Sequence, residues 1–125
     1  MNTILINDSQ NDTFSLLRRL GLTCYEAVAY LALVKYGPQD CRSLSRLAGI
    51  PNGKIYLTTK NLVEKGWIQV SEFGRPKKLC AVDPENIIKK RLTELKEELN
   101  HLETNSIYVS MMLKNSLNPQ NSEPF

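Results

Sequence analysis

The 125-residue chain has a single histidine and none of the groupings from which enzyme sites are built. No His, Cys, Asp or Glu cluster has metal-ligand spacing, no Gly-rich loop suits a phosphate, and no nucleophile sits beside a base. His101 falls on the solvent side of a charged helical stretch. An enzyme is therefore not expected, and neither is a cofactor, a metal or an evident small-molecule effector. Cysteine is scarce and odd in number. Cys24, Cys41 and Cys80 lie inside predicted elements, where thiols behave as small buried hydrophobes; a redox or intersubunit-disulfide role is the competing reading. Long apolar runs are also missing. The longest uncharged one, Ala27 to Val34, is far short of the roughly 20 residues that span a bilayer. No early basic region or long apolar core marks a signal peptide, so a cytoplasmic protein with no membrane partner is expected. Finally, neither Gly nor Pro occurs from 85 to 117, which permits one long unbroken helix.

The charge that is present is unevenly placed. The whole chain carries a formal +3. From Lys35 to Lys78 there are nine cations and three anions, a net of +6, which leaves −3 for the rest. A basic segment inside an otherwise acidic chain is the electrostatic footprint of a nucleic-acid partner. Solvation of helix surfaces by lysine is the alternative.

Residues 37–82 read as helix, tight turn, helix, hairpin. Before them, Asp12 is positioned to cap a helix over 13–20 with Phe14, Leu17 and Leu20 on its apolar side, and Gly21 stops it. Thr23 and Glu26 form a capping box for a second helix to about Tyr36. Its wide apolar face of Ala27, Tyr30, Leu31, Leu33 and Val34 makes it the expected central helix. After the Gly37-Pro38 turn, a short helix spans Cys41 to Ala48, with Leu44, Leu47 and Ala48 inward, and Gly49 closes it. Pro51 opens the next helix, to about Lys65, whose expected buried side is Ile55, Thr59, Leu62 and Val63; Gly66 ends it. Two strand-like runs, 67–72 and 78–82, flank the basic turn Phe73-Gly74-Arg75-Pro76-Lys77, with Trp67 and Ile68 anchoring the first. Two strands do not form an independent sheet, so the hairpin must pack on the helices. Two short helices joined by a Gly-containing turn and followed by a basic hairpin make a winged helix-turn-helix, whose second helix enters the major groove of duplex DNA.

Asp83-Pro84 then starts a helix running to about Leu117. Ile88, Leu92, Leu95, Leu99, Leu102, Ser106, Val109 and Leu113 alternate at spacings of four and three, a heptad seam with one polar position. A parallel in-register pair would oppose Arg91 to Lys96 and Glu98 to Glu103. An antiparallel pair that opposes Leu92 to Val109 and Leu99 to Leu102 instead sets Lys96 against Glu103. The expected fold is thus mainly α with a small β hairpin. A flexible N-terminus (1–11, with Ile4-Leu5-Ile6 unassigned) precedes a winged helix-turn-helix domain (12–83). An antiparallel coiled-coil helix (84–117) that makes the homodimer and a disordered tail (118–125) follow. The alternative is a monomer whose long helix folds back on the first two.

With Ile55, Thr59 and Leu62 inward, the recognition helix shows Asn52, Gly53, Tyr56, Leu57 and Lys60 outward. Asn52 and Lys54 in its first turn suit adenine and guanine edges, and Gly53 permits close approach. Tyr56, Thr58 and Lys60 suit phosphates, Arg42 and Ser43 could hold the backbone, and Arg75, Lys77 and Lys78 belong to a wing that reaches the minor groove or flanking phosphates. The reading face is poor in Arg, which predicts modest sequence discrimination and strong salt dependence.

The segments Leu20-Gly21-Leu22-Thr23, Tyr25-Glu26-Ala27, Tyr30-Leu31-Ala32-Leu33, Gly37-Pro38, Leu47-Ala48-Gly49-Ile50-Pro51, Lys54-Ile55-Tyr56, Leu62-Val63-Glu64-Lys65-Gly66 and Gly74-Arg75-Pro76-Lys77 follow one another over half the chain. Together they resemble the winged-helix domain of TrmB-type transcriptional regulators, which are mostly archaeal. The resemblance implies DNA binding near promoters and transcriptional control. Larger members carry a C-terminal sugar-binding domain for which this chain has no room, so no sugar effector is expected. Family recognition helices often have Arg-Ser after the proline where this chain has Asn52-Gly53, so no target sequence carries over. Two other readings remain: an architectural protein that coats DNA, and a winged helix used for protein contacts.

Overall fold

The computed structural model describes residues 12–122, and the expectations for 1–11, including Ile4-Leu5-Ile6, lie outside the described residues. Helix α1 covers 12–19, so Asp12 falls inside the helix and not at its cap. Then come α2 (Cys24–Tyr36), α3 (Cys41–Ala48), α4 (Asn52–Lys65), β1 (Ile68–Val70), β2 (Leu79–Ala81) and α5 (Pro84–Asn115). The elements divide into two compact units between Lys89 and Lys90. This division falls inside α5, whose first turn carries the buried Ile87.

Local chemistry sets the ends of the first unit's helices. Thr23 caps α2: its hydroxyl accepts from Glu26 N at 3.2 Å while Glu26 Oε1 accepts from Thr23 N at 2.9 Å, the complete capping box. Asp40 caps α3 through Ser43 N at 2.8 Å. Gly49 and Gly66 close α3 and α4 at φ +69° and +84°, a left-handed conformation that a Cβ would strain. Pro51 lies at the cap of α4, one position before the helix that it was expected to open.

The core forms where α2 packs on α3, α4 and β2. Tyr30 meets Trp67 edge-on, with ring centroids 5.2 Å apart, and its hydroxyl donates to Val82 O at 2.7 Å. One side chain thereby ties the central helix to the residues flanking the two strands. Burial and the neighbouring Asp83 anion raise the Tyr30 pKa to about 12. The strands pair antiparallel, Ile68 with Ala81 and Val70 with Leu79. The loop after α2 adds a third line: Gln39 and Leu79 exchange both backbone hydrogen bonds, at 3.1 and 2.7 Å. The hairpin is therefore closed along β2 by a residue that reads as loop in sequence.

Several faces differ from expectation in one consistent way. Val34, Leu47 and Val63, expected inside, are exposed, whereas Glu26, Ser45 and Thr58 are buried. Each of these polar groups has a hydrogen-bond partner, which is what permits its burial. Thr58 Oγ1 donates to Lys54 O at 2.8 Å, and the Ser45 hydroxyl lies against Ile50 O. Glu26 Oε1 takes Lys65 Nζ at 2.6 Å as well as Thr23 N.

In the second unit α5 continues to Asn115, two residues short of the expected 117. Ion pairs on its own surface join Arg91 to Glu94 and Glu98, each at 3.4 Å. The expected disordered tail contains a short 3₁₀ helix, Pro119–Ser122. Among the described residues no helix is long and apolar enough to cross a membrane.

Candidate nucleic-acid interface

The turn between α3 and α4 is held by one buried hydroxyl. Ser45 Oγ lies 3.1 Å from Asn52 Oδ1 while also contacting Ile50 O, and Ile50 N donates to Ser45 O at 2.9 Å. These contacts fix where α4 starts and how Asn52 is turned. Ser45 has one hydroxyl proton and the nearer acceptor is Ile50 O, so what the geometry fixes is that one end of the Asn52 amide is held against Ser45 Oγ. A two-point contact with adenine, which needs both atoms, would have to compete with Ser45.

Along α4 the buried stripe is Ile55, Thr58, Thr59 and Leu62, the i, i+3, i+4, i+7 pattern of a helix lying on a core. Asn52, Gly53, Lys54, Tyr56, Leu57 and Lys60 are all exposed on the other side, with Tyr56 71% and Leu57 60% open. Thr58 does not belong with them. It is 6% exposed and its hydroxyl bonds within its own helix, so its assignment to phosphates is corrected. Its polarity alone favours an outward position, whereas its hydrogen bond to Lys54 O lets it face inward. Gly53 has no atom within 4 Å of the place a Cβ would take, so nothing in the fold itself requires glycine there.

The structure brings residues from three elements around one cleft of about 500 Å³, lined by Asp40, Cys41, Arg42, Tyr56, Pro76 and Lys77. Of the residues expected at DNA, Arg42, Tyr56 and Lys77 meet here; they lie 14 and 21 positions apart in sequence. Ser43, half-buried at the same helix start, is committed through its backbone N to the Asp40 cap. That hydrogen bond, with smaller help from the Ser43 hydroxyl, Arg42 N and the Arg46 cation, holds the Asp40 carboxyl below the usual carboxylate range. Lys54 and Lys60 on α4, and Arg75 and Lys78 on the wing, are exposed outside this cleft.

Sequence reading missed Asp40, Cys41 and Pro76 as cleft walls. The N-cap spacing of Asp40 to Ser43 was the available signal for the first; Cys41 and Pro76 carry none. Lys65 is one of the nine cations of the basic segment. In the fold Lys65 Nζ bonds Glu26 Oε1 and, at 3.1 Å, Gly21 O, so its charge is spent internally. The eight seam residues all lie on α5; Ile88 and Leu95 are half-buried and Leu92, Leu99, Leu102, Ser106, Val109 and Leu113 are exposed. Among the described residues no group of three His, Cys, Asp or Glu could hold a metal.

The family model for the sugar-specific transcriptional regulator TrmB matches residues 17–85. The HTH-type sugar-sensing transcriptional regulator TrmBL1 of Pyrococcus furiosus is 34% identical over 86 residues, 69% of this chain and 25% of that protein. The DNA-binding HTH-type transcriptional repressor TrmBL2 of Thermococcus kodakarensis is 35% identical over 78 residues, 62% of this chain and 29% of its own. The chain thus spans about a quarter to a third of the length of these relatives. A solved structure of TrmBL2, described as an archaeal chromatin protein, superposes with a TM-score of 0.74 at 23% identity, over 92% of this chain and 44% of that one. That likeness establishes the winged-helix fold. With the match extending over more than half of its residues, the chain belongs to the TrmB family of transcriptional regulators.

Proposed function

We propose that the protein is a non-enzymatic, dimeric regulator of transcription that binds double-stranded DNA, with α4 in the major groove and the 72–78 wing on the minor groove or flanking phosphates. The observation that carries this reading is the cleft where Arg42 of α3, Tyr56 of α4 and Lys77 of the wing converge. Three elements that would each touch the duplex backbone present donors to one place, and Lys54 and Lys60 extend the positive surface along α4. A phosphate in the cleft would fix the register of the reading helix, whose first turn offers Asn52 and Lys54 to base edges.

The dimer rests on α5. Its leucine seam is exposed, and burial of apolar surface drives association. Arg91 is already paired within its helix, while Lys96 and Glu103 enter no ion pair among the described residues. They are free to pair across the antiparallel register, which biases orientation by about 0.2–1 kcal/mol per exposed pair. In that register Ile88 of one chain opposes Leu113 of the other. The two Ile88 residues then stand about 38 Å apart along the pair, and the two helix starts at Pro84 about 50 Å, at 1.5 Å per residue.

A second reading, a DNA-coating architectural protein, is favoured by one feature. The exposed face of α4 has no arginine, the residue best suited to reading guanine. The solved relative described as a chromatin protein makes that reading concrete. Fluorescence anisotropy against the gene's own upstream DNA and a scrambled duplex, across a salt series, separates the two. A preference of about a thousandfold or more for upstream DNA identifies a sequence-specific regulator. Equal and steeply salt-dependent affinities identify the coating protein, and no binding at low salt overturns both. The double variant Arg75→Ala, Lys77→Ala is expected to weaken binding to every duplex and to reduce the salt slope by roughly 1.8. An unchanged slope would remove the wing from the interface.

A further inference from the structure

Phe73 is the most exposed large apolar side chain among the described residues, at 84%. It is held in place by its backbone: Phe73 N donates to Ser71 Oγ at 3.3 Å, and Ser71 Oγ donates to Phe73 O at 3.1 Å. Ser71 N in turn donates to Lys78 O at 2.7 Å, closing the hairpin beneath the turn. Gly74 follows at φ +92°, so the chain reverses directly after the ring. Around it stand Arg75, Lys77 and Lys78, with Glu72 the one anion, for a net of +2 over 72–78.

Phosphate binding explains those cations but gives no reason for an aromatic ring among them. An exposed ring gains only where water is excluded from it, and the surrounding positive charge selects a polyanion as its cover. Duplex DNA meets both conditions in the minor groove, where cationic side chains hold the phosphates and apolar wedges enter between base pairs. We infer that Phe73 is such a wedge: the wing places its ring in the minor groove, unstacks one base step and bends the duplex. This deepens the DNA-binding reading and rests on it. A wedge reads deformability rather than base edges, favouring flexible pyrimidine–purine steps. It would thus add sequence preference to a protein whose α4 has few groups to supply it.

The test uses the whole chain and duplexes of about 30 base pairs recovered by enrichment from a random pool, end-labelled for energy transfer and carrying 2-aminopurine at successive positions. Binding is expected to brighten 2-aminopurine several-fold at a single step and to bring the duplex ends closer. Phe73→Ala should abolish both and weaken binding roughly tenfold. Its salt slope should stay unchanged, because no charge is removed. Phe73→Leu, still an apolar wedge, should keep most of the bend. Arg75→Ala should do the reverse, lowering the slope by about 0.9 while brightening persists. As Phe73 is exposed, matched thermal melts are expected to show the variants folded. The wedge is overturned if wild-type protein binds without brightening at any position, or if Phe73→Ala retains the brightening and the bend. Failure of the wild type to bind any duplex in the pool overturns the DNA-binding reading itself, and the wedge with it.

Discussion

Two buried polar side chains join parts of the domain that are distant in sequence, and both are testable. Tyr30 donates to Val82 O, and its folded pKa lies above the ordinary tyrosine value, at about 12. A raised pKa means that the hydroxyl's contribution is fully present below the unfolded value near 10. It is lost as pH rises through the folded value. Tyr30→Phe should therefore be less stable than wild type by about 1 kcal/mol at neutral pH. The gap should shrink above pH 10 at about 1.4 kcal/mol per unit and change sign near pH 11. Chemical denaturation of both proteins from pH 7 to 12 checks this, and a constant gap would place the hydroxyl outside the linkage. Glu26 is 2% exposed and depends on Lys65, itself 39% exposed. Lys65→Met leaves the buried carboxylate with the Thr23 N–H alone. A loss of about 1–3 kcal/mol is expected, at the lower end of what breaking a buried pair does because water reaches the lysine. Measured DNA affinity should hardly change, because Lys65 faces its own fold.

Among the elements, α3 links stability to the candidate interface, since its cap residue Asp40 also lines the cleft. The Asp40 carboxyl is held below the usual carboxylate range by its hydrogen bond from Ser43 N. With a depressed folded pKa, its stabilisation is present above about pH 4, the unfolded value, and is lost as pH falls through the folded one. Asp40→Ala should melt lower than wild type at neutral pH, and the two melting curves should converge in acid. Asp40→Asn, which caps without titrating, should melt close to wild type at neutral pH and lack the acid dependence. How far the elements could be read from sequence divides along the same line. Helix ends were legible because caps and left-handed glycines act over three or four residues. Helix faces were legible only in part, since the sequence sorts residues by polarity while burial depends on whether a polar group finds a partner. Thr58 and Ser45 find theirs in carbonyls a turn away and go inside. Val63 and Leu47 are displaced outward, and the reading face of α4 loses one expected phosphate ligand.

At the scale of the molecule, the exposed seam of α5 is the strongest reason to expect two copies. Leu99 is 53% exposed at its middle, and in the proposed antiparallel register it would oppose Leu102 of a second copy. Leu99→Asp puts a carboxylate into that seam from each chain. Sedimentation velocity should show monomers, while circular dichroism shows the winged-helix unit folded, because Leu99 lies beyond the Lys89–Lys90 division. A variant that still sediments as a dimer would rule out this seam as the interface. Monomers should also bind a two-site duplex far more weakly than wild type, since linked heads gain from effective concentration only when both can engage.

The sequence by itself determined the order of elements, the capping of α2 by Thr23 and Glu26, the glycine stops, the long helix after Asp83-Pro84 and the family. All of these depend on residues close together in the chain or on patterns of residue type. Only the tertiary structure decided that Gln39 pairs with Leu79 to close the hairpin, that Lys65 is taken by Glu26, and that Arg42, Tyr56 and Lys77 share one cleft. Each joins positions between 14 and 40 residues apart. The physical reason is common to them. A backbone edge, a buried carboxylate or a cation has many possible partners along an unfolded chain, and only packing of the helices around α2 selects among them.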